Sequence, residues 1–341
     1  MVAPFVMPGA RATSVVIPTY NRRESLARVL DGLDRQTADP ADFEVIVVDD
    51  GSTDGTSEWL REQRHVYELR SIHQANAGPA RARNTGVEAA FGELLVFLDD
   101  DVLPSPELIE QHRRSHGIQT DLAVIGPLGS LPSYRQPWVA WEQAKLERQY
   151  SAMTRGDWEP TFRQFWTGNA SIRREHVLAV GGFDSAFLRA EDVELAYRLH
   201  QRGIKFRFNP AARVTHHAER SLDSWVNAQR SYGRLEVSIF GKFSEETLIK
   251  VLAENWSRMH PASRLLVQGC MGRPLRHGCV TFLLRSWLQI EAATRPIAAE
   301  KVCSAFASLL YWQASTEALG PDRTHDVFRR GEEIRSTRGA S

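Results

Sequence analysis

Along the first 125 or so residues, two spacings of apolar residues alternate. Short β-branched runs, "SVVIPTY" (14–20), "FEVIVVDD" (43–50), "ELLVFLDDD" (93–101) and "DLAVIG" (121–126), are continuous enough to predict buried strands of a parallel sheet. Another strand is expected near 66–72. Between these runs the apolar residues recur at helical spacing. "NRRESLARVLDGL" carries the stripe Leu26, Val29, Leu30 and Leu33, with Asn21 as expected N-cap and Glu24 closing a capping box. "SEWLREQ" and "PARARNTGVEAAFG" predict two more helices, and "SPELIEQHRRSHG" a third, with Ser105 as cap and Pro106 in the first turn. Strand alternating with helix predicts the α/β class: a doubly wound, mostly parallel sheet flanked by helices.

The later pattern differs. Residues 130–165 show no clean period but gather Trp138, Trp141 and Trp158, with Trp166 just beyond, and read as an insertion over one side of a cleft. "FWTGNASIRR" reads as a strand, "REHVLAVGG" as a short helix, and "AEDVELAYRLHQRG" as a helix stopped at Gly203. "IKFRFNP" and "ARVTHH" predict a strand and an edge. From about 222 the spacing is helical throughout, and core packing is expected for Phe282, Leu283, Trp287, Tyr311 and Trp312, with dimerisation or membrane-surface contact as alternatives. The last stretch, "GEEIRSTRGAS", is polar and expected to fray. The domain expectation is an N-terminal extension 1–12, a domain 13–221 with halves 13–128 and 129–221, and a helical C-terminal region 222–341.

Composition narrows the class. Of 341 residues, 42 are Lys or Arg and 42 are Asp or Glu, so no global basic field points to nucleic acid. The three cysteines, Cys270, Cys279 and Cys303, argue against a disulfide framework, and with His277 they match no zinc spacing. The N-terminus lacks a signal-peptide pattern, and no apolar run is long enough to span a bilayer; the expected location is cytoplasmic or peripheral at a membrane.

In such sheets ligands bind beyond the carboxyl ends of the strands. "PTYNR", "DDGSTD" and "DDD" all fall there. Asp99, Asp100 and Asp101 follow a buried strand, and two carboxylates about 5 Å apart repel by roughly 3 kcal/mol at an effective dielectric of ~20. A cation is therefore expected. In an extended segment Asp99 and Asp101 point the same way, and hard carboxylate oxygens suit Mn²⁺ or Mg²⁺. The bland alternative is a solvated acidic turn. Tyr20 offers a stacking face for a flat ligand, and Asp49 or Asp50 an acceptor for a base imide, although Asp, Ser, Thr and Gly in that loop also serve turn chemistry. "DDGSTD" lacks the later Glu of a calcium loop. Arg81 and Arg83 stand at the start of a helix, where a phosphate or base edge could bind. Glu191 and Asp192 open another helix, whose dipole favours an ionised carboxylate suited to act as a general base. His216, which shares a face with Val214, is preferred over His217 as a further metal ligand.

Together "VVIPTYNR", "VVDDGSTDGT", "AGPARARNTG", "VFLDDD", "TGNASIRREHVLAVGGFD" and "AEDVELAYRL" resemble the family 2 glycosyltransferases, nucleotide-sugar-dependent enzymes of the A-type fold. The resemblance covers about 13–220. It implies metal ligands at Asp99, Asp101 and His216, and donor contacts at Pro18, Thr19, Tyr20, Arg22, Asp49, Asp50, Arg83, Asp99 and Asp100. It implies Asp192 as catalytic base with Glu191 beside it. It further implies Mn²⁺ or Mg²⁺, inversion at the anomeric carbon, a nucleotide-sugar donor with UDP the commonest carrier, and a glycan, lipid-linked or small-molecule acceptor. The Gln-x-x-Arg-Trp motif of processive relatives is missing, so non-processive transfer is expected. A sugar-phosphate nucleotidyltransferase would carry a glycine-rich loop where "PTYNRRE" stands. An inactive nucleotide-sugar-binding scaffold is the third reading.

Overall fold

The computed structural model describes residues 12–131, 134, 136–187, 189–217, 220–290 and 296–338. Apart from residue 12, the expected N-terminal extension lies outside these. In chain order the elements are β1 (Thr13–Thr19), α1 (Arg23–Leu33), β2 (Phe43–Asp49), α2 (Thr56–Glu62), β3 (Glu68–His73), α3 (Pro79–Ala89), β4 (Leu94–Leu98), β5 (Val102–Pro104) and α4 (Leu108–His116). Then come β6 (Leu122–Ile125), β7 (Leu128–Gly129), α5 (Pro137–Arg155), β8 (Asn169–Arg173), α6 (Arg174–Ala179), α7 (Glu191–Gln201), β9 (Lys205–Phe208) and β10 (Val214–His216). Six helices complete the chain: α8 (Leu222–Gly241), α9 (Glu245–Ser257), α10 (Pro261–Cys270), α11 (Pro274–Ile290), α12 (Pro296–Leu319) and α13 (Pro321–Arg338).

The chain forms two compact units. The first comprises residues 1–132 and 145–218, the second 133–144 and 219–341. In the first, a sheet of order β3-β2-β1-β4-β8-β6-β9 runs between helices. β1 to β4 pair in parallel, as do β6 and β9, whereas β8 is antiparallel to both β4 and β6. The sheet is therefore mostly parallel with one reversed strand. Hydrophobic clusters cover both faces, one built on Val16, Ile46, Phe97 and Ile172, the other on Val15, Leu30, Val47 and Leu98. That two-sided burial explains why β1, β2, β4 and β6 read as continuous apolar runs rather than alternating ones. A small sheet, β5-β10-β7, lies just past the end of β4.

The second unit contains α8 to α13 and a core in which Leu222, Trp225, Phe306 and Leu310 are buried together. Trp138 and Trp141 pack into this core, while Trp166 meets Tyr150 in the first unit. The aromatic residues expected to form one insertion thus divide between two cores, and α5 begins in one unit and ends in the other. Phe282 and Leu283, expected in the core, are exposed; Trp312 is buried. The polar C-terminal stretch continues α13 as helix to Arg338, because Glu332 accepts bonds from Trp256 Nε1 at 3.1 Å and Arg264 Nη1 at 3.2 Å.

Two expected caps are not formed. Asn21 adopts left-handed backbone (φ 53°), and its side chain bonds Thr53 N at 2.7 Å rather than α1. Arg22 takes the cap position with no side-chain cap bond. α4 begins at Leu108, three residues after Ser105, whose carbonyl accepts from Leu108 N.

Candidate functional site

The parallel strands deliver their carboxyl ends to one margin of the first unit, and the acids gather there. β4 stops at Leu98, so Asp99 to Asp101 lie in a turn rather than in a strand. The alternation that would align Asp99 with Asp101 does not continue past Leu98, and the carboxylates divide between two arginines, Asp99 on Arg83 and both Asp100 and Asp101 on Arg22. Asp99 accepts from Arg83 Nη2 at 2.7 Å. Asp100 accepts from the Thr19 hydroxyl at 2.8 Å and from Arg22 at 3.2 Å. Asp101 pairs with Arg22 at 2.6 Å and faces His216 Nε2 at 3.5 Å. The positive charge demanded by three adjacent acids is supplied, in this state, by two arginines.

Arg83 is the hub. α3 starts at Pro79 as expected, leaving Arg81 exposed and Arg83 buried at 5% exposure. Its Nη1 donates to Glu191 at 2.6 Å while Nη2 holds Asp99. One guanidinium thereby joins the acidic turn after β4 to the first turn of α7, 92 residues further on in the chain (99 to 191). Such a fork-shaped pair is geometrically specific in a way a lysine would not be. Gly168 fits beneath it: a Cβ there would lie 2.9 Å from Asp99 Oδ2.

Asp192 is half-buried next to Glu191, with Oδ2 3.4 Å from Thr167 N and Oδ1 2.8 Å from Val193 N. Burial, reinforced by the neighbouring Glu191 charge and opposed by Arg83, pushes its carboxyl up to about 7. Burial likewise raises Asp100 to about 6. For Asp101 burial acts upward too, but the His216 and Arg22 contacts outweigh it and hold the group down at about 2.

The base-loop acids are committed elsewhere. Asp49 Oδ1 accepts from Ser52 N at 3.0 Å, and its Oδ2 lies 2.9 Å from His73 Nδ1. Asp50 accepts from Gln74 Nε2 at 2.7 Å, Ala77 N at 3.0 Å and Gly78 N at 2.8 Å, and so shapes the turn into α3. Both are almost fully buried. Pro18 is half-buried, and Tyr20 is 49% exposed at the end of β1. His73 and Gln74 carried no signal of their own, and Thr167 and Gly168 stood in a quoted motif without an assigned role, because their roles are set by contacts across the fold.

The residues able to hold a divalent cation are Asp101 and His216. Asp101 Oδ1 is buried and faces the imidazole Nε2 at 3.5 Å, an oxygen and nitrogen pair suited to Mn²⁺ or Mg²⁺. Asp99 is turned away to Arg83. Among the described residues no three of His, Cys, Asp and Glu converge on one point. His217 meets the turn through its backbone, donating N–H to Asp101 O at 3.0 Å.

Residues 14–181 match the model for glycosyl transferase family 2. Those residues form a family 2 glycosyltransferase domain. It is 36% identical over 231 residues to validoxylamine A glucosyltransferase of Streptomyces hygroscopicus subsp. limoneus, a match spanning 58% of this chain and 51% of the relative. It is 31% identical over 234 residues to pre-mycofactocin glycosyltransferase of Mycobacterium tuberculosis, covering 66% and 47% respectively. The chain thus spans about half the length of these relatives. The fold resembles TarS of S. aureus in complex with UDP (TM-score 0.53, 17% identity, 91% of this chain and 92% of that one). It also resembles the mannosyltransferase PcManGT of Pyrobaculum calidifontis in complex with GDP-Man and Mn²⁺ (TM-score 0.55, 22% identity, 86% and 87%).

Proposed function

We propose that this chain is an inverting, non-processive glycosyltransferase that moves a sugar from a nucleotide-sugar donor, with UDP the favoured carrier, to a hydroxyl of a glycan, lipid-linked or small-molecule acceptor. The observation that carries this reading is the Arg83 bridge, which holds the Asp99 turn and the Glu191–Asp192 pair as one constellation. Transfer needs both parts: a place for the leaving diphosphate and a base for the acceptor. TarS has a structure in complex with UDP and PcManGT one in complex with GDP-Man and Mn²⁺, and these neighbours support a nucleotide-diphosphate ligand for this chain.

Asp192 takes the proton from the acceptor hydroxyl as its oxygen bonds to the anomeric carbon. The bond from that carbon to the diphosphate oxygen breaks, and its electron pair leaves with the nucleoside diphosphate. A carboxyl with a pKa near neutrality is matched to this task. Asp101 and His216 would hold a dication, which supplies charge neutralisation on the leaving group. Arg22, Thr19 and Asp100 shape the diphosphate end, and Tyr20 presents a face for the base.

The test is slow hydrolysis of UDP-, GDP- and dTDP-sugars with Mn²⁺ and no acceptor, followed over an acceptor panel. Release of free nucleoside diphosphate supports the reading. Pyrophosphate released from a nucleoside triphosphate and a sugar phosphate would replace it with nucleotidyl transfer, and donor binding without turnover would replace it with a scaffold. Asp192→Asn is expected to bind donor with unchanged affinity and to lose transfer by about 10²–10⁴-fold.

A further inference from the structure

α11 presents a face that no described residue of its own unit covers. Leu275, Phe282, Leu283 and Ile290 are 87%, 68%, 63% and 77% exposed, and Cys279 between them is exposed as well. At about 100° of turn per residue these five positions fall within an arc of about 100°. Leu284 and Leu288 occupy the opposite side and, with Trp287 on the flank, pack into the Trp225 core, so the outward stripe is fixed in place by its own helix. The stripe runs for about 22 Å at 1.5 Å per residue. Leu265 on α10, which packs against α11, adds a further exposed apolar side chain at 70%.

Charge says what the stripe fits. Acids and bases balance at 42 each over the chain, yet residues 265–290 contain Arg273, Arg276 and Arg285 and no Asp or Glu. By the same helical angles Arg276 borders the stripe on the Leu283 side and Arg285 borders it on the other. Arg276 donates to Gly269 O at 3.0 Å, and Arg285 pairs with Asp223 at 2.5 Å, so both heads are anchored beside the apolar arc. Among the described residues no helix is long and apolar enough to cross a membrane. An apolar arc bordered by the Arg276 cation on one side and by Arg285, shared with Asp223, on the other is the pattern of a helix lying in the plane of an anionic lipid surface. A second copy of the chain fits less well, because a two-fold contact of the stripe with itself sets arginine against arginine.

We propose that α11 is a docking face for an anionic lipid surface, seating the chain on a bilayer through Leu275, Phe282, Leu283 and Ile290. This is independent of the sugar-transfer reading. It is tested with the full chain by co-sedimentation with vesicles of equimolar phosphatidylcholine and phosphatidylglycerol, against vesicles of phosphatidylcholine alone. A polarity-sensitive fluorophore on Cys279 gives a second readout, since Cys270 and Cys303 are buried.

Expected are binding to the anionic vesicles, weakened by salt, and a blue shift of the fluorophore. The exposed pair F282E/L283E should lose binding at least tenfold while keeping its circular dichroism. Arg276→Gln should lose about fivefold, since one arginine at an anionic surface is worth about 1 kcal/mol. Absence of binding, or equal binding to both vesicles, overturns the proposal. So does self-association that F282E/L283E abolishes without any vesicle binding, which would assign the face to a second copy.

Discussion

Arg22 and Arg83 stand beside the same acidic turn but in different surroundings. Arg83 is sealed in, whereas the Arg22 side chain is 51% exposed and reaches both Asp100 and Asp101. A half-exposed ion pair of this kind is worth roughly 1 kcal/mol or less. Arg22 therefore competes weakly with any cation that Asp101 would take. Arg22→Ala is expected to tighten Mn²⁺ binding in the absence of donor by up to about fivefold. Titration calorimetry of the donor-free protein checks this, and unchanged or weaker binding would show that Arg22 does not compete. Asp192 yields a prediction in pH. Its carboxyl is pushed up, so it is protonated, and useless as a base, below about 7. Turnover at saturating acceptor should fall about tenfold per pH unit on the acid side of that value. Asp192→Asn should flatten this limb; a limb unchanged in that variant would assign the titration to another group.

Elements set these residues in place, and here legibility from the sequence is uneven. The strands β1, β2, β4 and β6 were readable because burial on both faces leaves an unbroken apolar run. The reversal of β8 was not, since periodicity carries no direction. The caps failed for a related reason. Asn21 has the right side chain for an N-cap, but its partner Thr53 lies across the next loop, and a local rule cannot weigh a non-local bond. The site was legible as residue types at strand ends, while the division of Asp99 from Asp101 was not, because it depends on where β4 stops. Asn84 shows how an element is tied down. Its Oδ1 accepts from Phe183 N at 2.7 Å and its Nδ2 donates to Phe183 O at 2.8 Å, fastening α3 to the segment that leads into α7. Gly182 is required beside it: φ is 74°, and a Cβ would stand 2.5 Å from Asn84 Oδ1. Asn84→Ala strips partners from a backbone N–H and C=O together, at a cost of about 1–3 kcal/mol. Denaturant unfolding should show a lower midpoint. Because α3 carries Arg83, transfer should drop by more than the unfolded fraction explains; an equal drop would leave Asn84 with a stabilising role alone.

At the scale of the molecule, the sheet clusters around Val16 and Val15 and the helical cluster around Trp225 share no described residue. In the second, Trp256 is fully buried, stacked on Phe328 at 3.8 Å and edge-on to Trp312 at 5.2 Å, with its indole N–H on Glu332. Gly331 lies so close that a Cβ would come within 2.5 Å of the ring, which explains a glycine inside α13. This is why a tail polar by composition stays helical: a single indole holds α9, α12 and α13 together. Trp256→Ala leaves a large cavity there, at a cost of about 3–5 kcal/mol. Separate cores localise that loss. Hydrogen exchange should rise in α9, α12 and α13, while β1, β2 and β4 keep their protection. Heating should then resolve two transitions where the wild type shows a smaller separation. Uniform loss of protection through the β-sheet would mean instead that the sheet unit depends on the helical one for its stability, and the cores would have to be treated as a single cooperative body.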